Sequence, residues 1–355
     1  MSVIIKHNKK FIIDRTLPEI MRSSEKIHEN MIKNFLILLK EIGVDLIEIN
    51  KSTLNKIKNL PRDLDYIYSI DDICDIYFLN KCEFKFKYIS VDYKKAVTFN
   101  FNKDILNKLK DKKIILEVDI KILDKLLSSE GNEIFNKLDI SCVRIKGVVK
   151  YNLSGWSELI ENIKIHFSTE VDFCPDNRFY MATAIAMEAC SDGADFITAA
   201  FNGSIYGFAS LEEIVLGLKV IKDGEVSGNL KLIGELSKVY TQLTGEKVYC
   251  MKAVIGEDIF KYESGIHVDG IAKNPYTYEP YNPYDIGEKR TMYIGKHSGK
   301  KAVMLRLKEL NIDYEGINGN NFLSKIREVS IKLKRNIFDE ELIQIYNDFK
   351  NTCLQ

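Results

Sequence analysis

Up to about residue 222, short apolar runs rich in β-branched residues alternate with stretches of helical spacing. The runs are Phe11-Ile12-Ile13, Asp45 to Ile49, Tyr66-Ile67-Tyr68, Phe84 to Val91, Ile114 to Val118, Cys142 to Ile145, Val171 to Cys174 and Asp195 to Phe201. Apolar runs of this length, enriched in β-branched residues, read as buried strands. Between the first two, Ser24 to Ile42 places Ile27, Met31, Phe35, Leu38 and Leu39 on one helical face, with Ser23 or Ser24 available to cap its start. Further helical patterns cover Ser154 to Ile165, Phe179 to Cys190 and Leu211 to Ile221. Eight successive strand–helix units predict a closed parallel α/β barrel. The third and fourth units carry the faintest pattern, and there is no sequence repeat of fixed period.

Beyond residue 222 the pattern changes. Asp223 to Gly228 is a turn-rich break, and Asn229 to Leu243 has helical spacing. The stretch 263–300 holds three of the six prolines, Pro275, Pro280 and Pro283, which predict an extended, turn-broken segment. Helices are expected over Lys300 to Leu310, Asn321 to Leu333 and Asp339 to Asn351. The chain thus divides into a barrel domain over 1–222, a linker segment over 223–299 and a small helical C-terminal subdomain over 300–355.

Composition narrows the function classes. The 355 residues carry 51 basic and 51 acidic side chains, a net charge of +0, so nothing suggests nucleic acid or an anionic membrane as partner. No apolar run has the length of a membrane span, and the opening MSVIIKHNKKFIIDRT lacks the apolar core of a signal peptide. Seven cysteines, an odd number without CxxC pairs, fit reduced thiols in a cytoplasm. Cys74, Cys82 and Cys142 read as small core hydrophobes. His7 reads as solvated, His28 and His166 as helix residues, and Trp156 as a staple at a helix start.

Candidate chemistry concentrates in residues 263–300. His267 lies in Ser264-Gly265-Ile266-His267-Val268-Asp269-Gly270, and His297 in Gly295-Lys296-His297-Ser298-Gly299-Lys300. Glycine-flanked histidines allow close approach to a ligand and proton transfer near neutral pH. On residue types alone, the stretch is equally a tyrosine-rich surface loop with two solvated histidines. Its order, however, resembles the C-terminal signature of the homocitrate synthase and isopropylmalate synthase family, SGIH-x-DG-x-x-KN-x-x-TYE followed by GKHSG. Ser264 to Gly270, Lys273-Asn274, Thr277-Tyr278-Glu279 and Gly295 to Gly299 all match. The resemblance implies a (β/α)8 TIM barrel that condenses acetyl-CoA with a 2-oxo acid at a divalent metal. It also implies that His267 reaches into the barrel of a neighbouring subunit.

The barrel itself departs from the family. Where the first strand should end in D-x-T-L-R-D-G, with a substrate-polarising arginine and a metal-binding aspartate, the chain has Asp14-Arg15-Thr16-Leu17-Pro18-Glu19-Ile20. Where H-x-H-N-D should supply two metal ligands, it has Cys174-Pro175-Asp176-Asn177-Arg178. The sixth strand ends in Lys146-Gly147 rather than D-T. Asn202-Gly203 is kept, but the asparagine that completes the metal shell is Ser210. Glu19, Cys174, Asp176, Asn202 and Ser210 are therefore expected to be remnants of a degenerate metal site. Leu211-Glu212-Glu213 and the strand cores still match, so the barrel is expected to fold.

Within the family, the chain is similar to the omega type of the split homocitrate synthases of nitrogen fixation, made of alpha and omega polypeptides. That resemblance implies a hetero-oligomer whose alpha-type partner holds the divalent metal and 2-oxoglutarate, with none held in this chain. His267 would then transfer a proton in trans. Glu263 and Asp269 are candidates to orient it or a neighbour, and Lys296, His297 and Ser298 to line the acyl-CoA side. Two other readings fit the same residues. One is a non-catalytic regulator docking on a complete synthase. The other is a self-sufficient acyltransferase with a Glu/Cys/Asp metal site.

Overall fold

All eight apolar runs contribute strands. The computed structural model describes residues 3–5, 7–23, 28–57, 59–79, 81–82, 84–99, 101–128 and 133–353. A short β1 (Val3–Ile5) precedes the barrel strands β2 (Asn8–Asp14), β3 (Leu46–Ile49), β4 (Asp65–Ile70), β5 (Tyr88–Asp92), β6 (Lys113–Asp119), β7 (Ile140–Lys146), β8 (Glu170–Cys174) and β9 (Phe196–Ala199). Each pairs in parallel with the next, and β9 pairs with β2 to close the barrel. β1 lies antiparallel to the start of β2, and β10 (Glu225–Val226) lies antiparallel to β1. The predicted run from Phe84 pairs only from Tyr88. Phe84 and Phe86 pack instead on the rings of Tyr66 and Tyr68, at 5.2 and 5.3 Å.

Helices surround the strands with several shifted boundaries. The first predicted helix begins at Glu29, after His28, which makes no side-chain cap. Ser24 and Ile27 lie outside the described residues, and Ser23 ends a separate helix, Thr16–Ser23. That helix tolerates Pro18 because a first turn has no acceptor for the missing N–H. Trp156 stands just before helix Ser157–Phe167 without a side-chain cap bond, and packs edge-on against Phe173 at 5.4 Å. Among the cysteines expected in the core, Cys142 is buried, but Cys74 is exposed and Cys82 half-buried, because Cys74 lies on an outer helix, Ile73–Leu79, and Cys82 in the irregular stretch beyond it. No helix of the described residues is long and apolar enough to cross a membrane.

The chain forms two units: Met1–Val248 with Ala253–Ile255, and Tyr249–Lys252 with Gly256–Gln355. Helix Ile233–Thr244, expected in the linker, thus lies in the barrel unit. In the second unit, β11 (Lys261–Tyr262) pairs in parallel with β12 (Thr291–Met292). Helices Lys300–Glu309, Gly319–Leu333 and Asp339–Cys353 enclose a core that includes Val303, Leu307, Phe322, Ile326, Leu342 and Tyr346. The predicted extended character of 263–300 fails at its start. Gly265–Lys273 is helical, with Ser264 as its cap, because all three prolines lie downstream. Pro275 and Pro283 each open a single 3₁₀ turn.

Candidate functional site

Alternation along a strand sends every second side chain into the barrel. One inward layer is apolar: Ile13, Leu46, Ile67, Ile115, Cys142 and Phe196. Two residues further along each strand the layer becomes charged, with Glu48, Glu117, Arg144 and Asp172, together with Thr198. Arg144 is fully buried and donates to Glu48 at 2.5 Å, Glu117 at 2.8 Å and Asp172 at 2.5 Å. Thr198 donates to Asp172 at 2.7 Å.

At the C-terminal mouth, Arg15 approaches Glu48 at 3.6 Å and Glu117 at 3.7 Å, and its guanidinium lies over the Phe208 ring at 4.5 Å. Lys146 bridges Asp92 and Glu117. Burial alone would raise the Glu117 carboxyl, but Arg15, Arg144 and Lys146 outweigh it and hold the group at about 2. Burial raises Asp172 despite Arg144. It also raises Asp14 to about 7, against its hydrogen bonds from Thr16.

The residues standing at the family's metal positions are engaged with these and other local groups. Cys174 faces Arg15, whose Nη1 lies 3.4 Å from its sulfur, and burial pushes its thiol up to about 11 although Arg15 and Arg144 oppose this. Glu19, on helix Thr16–Ser23, pairs with Arg22 at 2.6 Å. Both Asp176 oxygens accept from Arg178 Nε, at 2.9 and 3.0 Å. Ser210 is buried at the start of helix Leu211–Val220, and Asn202 adopts a left-handed turn whose N–H donates to Glu212. Among the described residues, no three His, Cys, Asp or Glu side chains are grouped to hold a metal ion. A divalent metal needs deprotonated ligands free of competing cations. A protonated thiol facing a guanidinium and two carboxylates paired to arginines do not fit one.

Sequence reasoning from motifs missed Arg15, Glu48, Glu117, Arg144 and Asp172. The available signal was a single charge inside otherwise apolar strands, as in Leu46-Ile47-Glu48-Ile49 and Cys142-Val143-Arg144-Ile145.

In the second unit, His267 is exposed on helix Gly265–Lys273, its ring 4.5 Å from that of Tyr278. Tyr278 also lies across Gly270, where a Cβ would stand 2.4 Å from its ring. Asp269 pairs with Lys273 at 2.7 Å, one turn along the helix. Glu263 reaches the other motif. Its carboxylate accepts the His297 backbone N–H at 2.7 Å, and Ser298 Oγ donates to its carbonyl at 3.4 Å while accepting the Gly295 N–H at 2.9 Å. Glu263 therefore joins SGIHVDG to GKHSG, while the Lys296 and His297 side chains remain exposed.

These motifs match known proteins. A family model described as homocitrate synthase post-HMGL domain-like matches residues 254–334. A Clostridium pasteurianum protein, "Homocitrate synthase, omega subunit", is 46% identical over 353 residues, covering 99% of both chains. The chain belongs to the homocitrate synthase family. The family likeness extends to 2-isopropylmalate synthase 2 of Caldanaerobacter subterraneus, 37% identical over 54% of this chain and 50% of that protein. It extends also to homocitrate synthase AksA of Methanocaldococcus jannaschii, 37% identical over 43% of this chain and 38% of that one. The HMG-CoA lyase of Bacillus subtilis superposes with a TM-score of 0.53 at 13% identity, covering 68% of this chain and 96% of that one, which supports the barrel fold. Membership of the homocitrate synthase family points to acyl-transfer chemistry.

Proposed function

We propose that this chain is an omega-type subunit of a two-chain homocitrate synthase condensing acetyl-CoA with 2-oxoglutarate in the cytoplasm, in service of nitrogenase cofactor synthesis. An alpha-type partner would hold the divalent metal, which as a Lewis acid supplies polarisation of the 2-oxo acid. This chain's contribution is His267, offered in trans to the partner's barrel. The observation that carries the reading is the contrast between the chain's two halves. Arg15 and Arg144 neutralise the carboxylates of the barrel mouth, whereas His267 is exposed on a short helix against Tyr278. Full-length similarity to a protein named as an omega subunit supports the same division.

In this scheme His267 moves a proton during attack of the acetyl-CoA methyl carbon on the ketone, with Tyr278 fixing the plane of its ring. Glu263 sets the turn that carries Lys296 and His297, and Asp269 anchors the helix surface through Lys273. Thioester hydrolysis then releases coenzyme A.

The test is co-expression with alpha-type chains, followed by assays for homocitrate and free coenzyme A thiol. The expected result is activity only when both chains are present. A fully active partner alone would favour the regulator. Activity and tightly bound metal in this chain alone would favour a self-sufficient enzyme.

A further inference from the structure

A cavity of about 450 Å³ lies on the outer face of the barrel, beside the irregular stretch that follows helix Ile73–Leu79. Two of its lining residues, Phe86 and Lys112, just precede β5 and β6. The cavity therefore sits at the amino-terminal end of the strands, opposite the mouth. Helix Ile73–Leu79 has seven residues, a length of about 10 Å, and from there to Lys87 the described residues form no further helix or strand. Phe84 and Phe86 fill part of the uncovered layer. Their rings lie 5.0 Å apart and rest on Tyr66 and Tyr68, so aromatic packing fixes this wall. Ile76, Ile89 and Leu109, all buried, form the floor. A preformed space of this size, apolar inside with a few polar groups at its edge, has the anatomy of a small-molecule site.

Charge decides what the space takes. Lys85, Lys108 and Lys112 line it together with one carboxylate, Asp111. Lys108 pairs with Asp104, one turn back on its own helix. Lys112 donates to the Phe86 carbonyl at 2.8 Å, a neutral acceptor that positions the ammonium group without neutralising it. Lys85 is exposed and pairs with no carboxylate among the described residues. Two ammonium groups against Asp111 leave a single net positive charge. A phosphorylated ligand calls for more cations than that, and one carboxylate does not hold a metal ion. One uncompensated charge at the edge of an apolar chamber matches one anionic head on an apolar body.

We propose that this cavity binds a monocarboxylate with an apolar body, the chemistry of a medium-chain fatty acid. The carboxylate meets Lys85 and Lys112, and the chain lies over Phe86 and Ile89. The site uses neither the barrel mouth nor the C-terminal motifs, so it stands independently of the synthase reading.

Cys82 is a reporter already in place, because its half-buried thiol lines the same cavity. Alkylation of the full chain by N-ethylmaleimide, read by peptide mass analysis, compares it with the exposed Cys74. Decanoate, kept below the concentration at which it self-associates, is expected to slow labelling of Cys82 and leave Cys74 unchanged. Calorimetry across hexanoate, octanoate and decanoate should show affinity rising about fourfold per added methylene. Decanol should bind about tenfold more weakly than decanoate, the scale of a lost charge-assisted hydrogen bond, and Lys85→Ala should show a similar deficit for decanoate. Decanol binding as tightly as decanoate, or decanoate that leaves Cys82 labelling unchanged, overturns the proposal. So does adsorption of the chain to phosphatidylglycerol vesicles that Lys85→Ala abolishes while decanoate gives no protection, which marks a lipid-facing basic surface instead.

Discussion

Arg144 is fully buried and contacts three carboxylates from three other strands. Removing one partner of such a cluster leaves uncompensated buried charge, a loss of about 3–5 kcal/mol. Arg144→Ala is therefore expected to lower the urea midpoint of the barrel unit strongly, and an unchanged midpoint would contradict the buried network. Two carboxyls of the same region give opposite pH slopes. Asp14 ionises near 3.8 in an unfolded chain but at about 7 when folded. The folded chain then binds more protons between these values, so stability falls as pH rises across that window. Asp14→Asn should flatten the slope of melting temperature between about pH 4 and 7, where one proton is worth at most about 1.4 kcal/mol per pH unit. Glu117, held at about 2 against an ordinary 4.5, contributes fully above the ordinary value and loses its contribution as pH falls toward 2.

At the scale of elements, the barrel strands are legible because a strand covered on both faces needs an unbroken apolar run. Helix Lys300–Glu309 is legible from its periodic Ala302, Val303 and Leu307. Helix Gly265–Lys273 is hidden, since Gly265-Ile266-His267-Val268-Asp269-Gly270 has two weak helix formers and no apolar stripe. The inward charged layer is hidden from motif reading because it is a property of register. Glu117, Arg144 and Asp172 align only once β6, β7 and β8 are paired. The link between the two C-terminal motifs is likewise a tertiary contact, made when β11 meets β12. It predicts that Glu263→Gln, which keeps an acceptor for the His297 N–H, preserves the melting temperature of the second unit. Glu263→Ala should lower its stability by about 1.5–3 kcal/mol, the range for a hydrogen bond to a charged group. Equal melting of both variants would show that the clasp is dispensable.

The whole molecule divides into a barrel unit that folds around its own ion pairs and a C-terminal unit that presents exposed chemistry. Cys174→Ala and Asp176→Ala should leave turnover of the assembled complex nearly unchanged, since both side chains are engaged with this chain's own arginines. His267→Ala should lower turnover by roughly 10²–10⁴-fold, the scale of lost acid–base catalysis, without preventing assembly, because the side chain is exposed. The most direct measurement is homocitrate formation by one reconstituted alpha–omega complex carrying each of these three substitutions in turn. Loss is expected with His267→Ala and near-normal rates with the other two. Loss with Asp176→Ala and normal turnover with His267→Ala would contradict it.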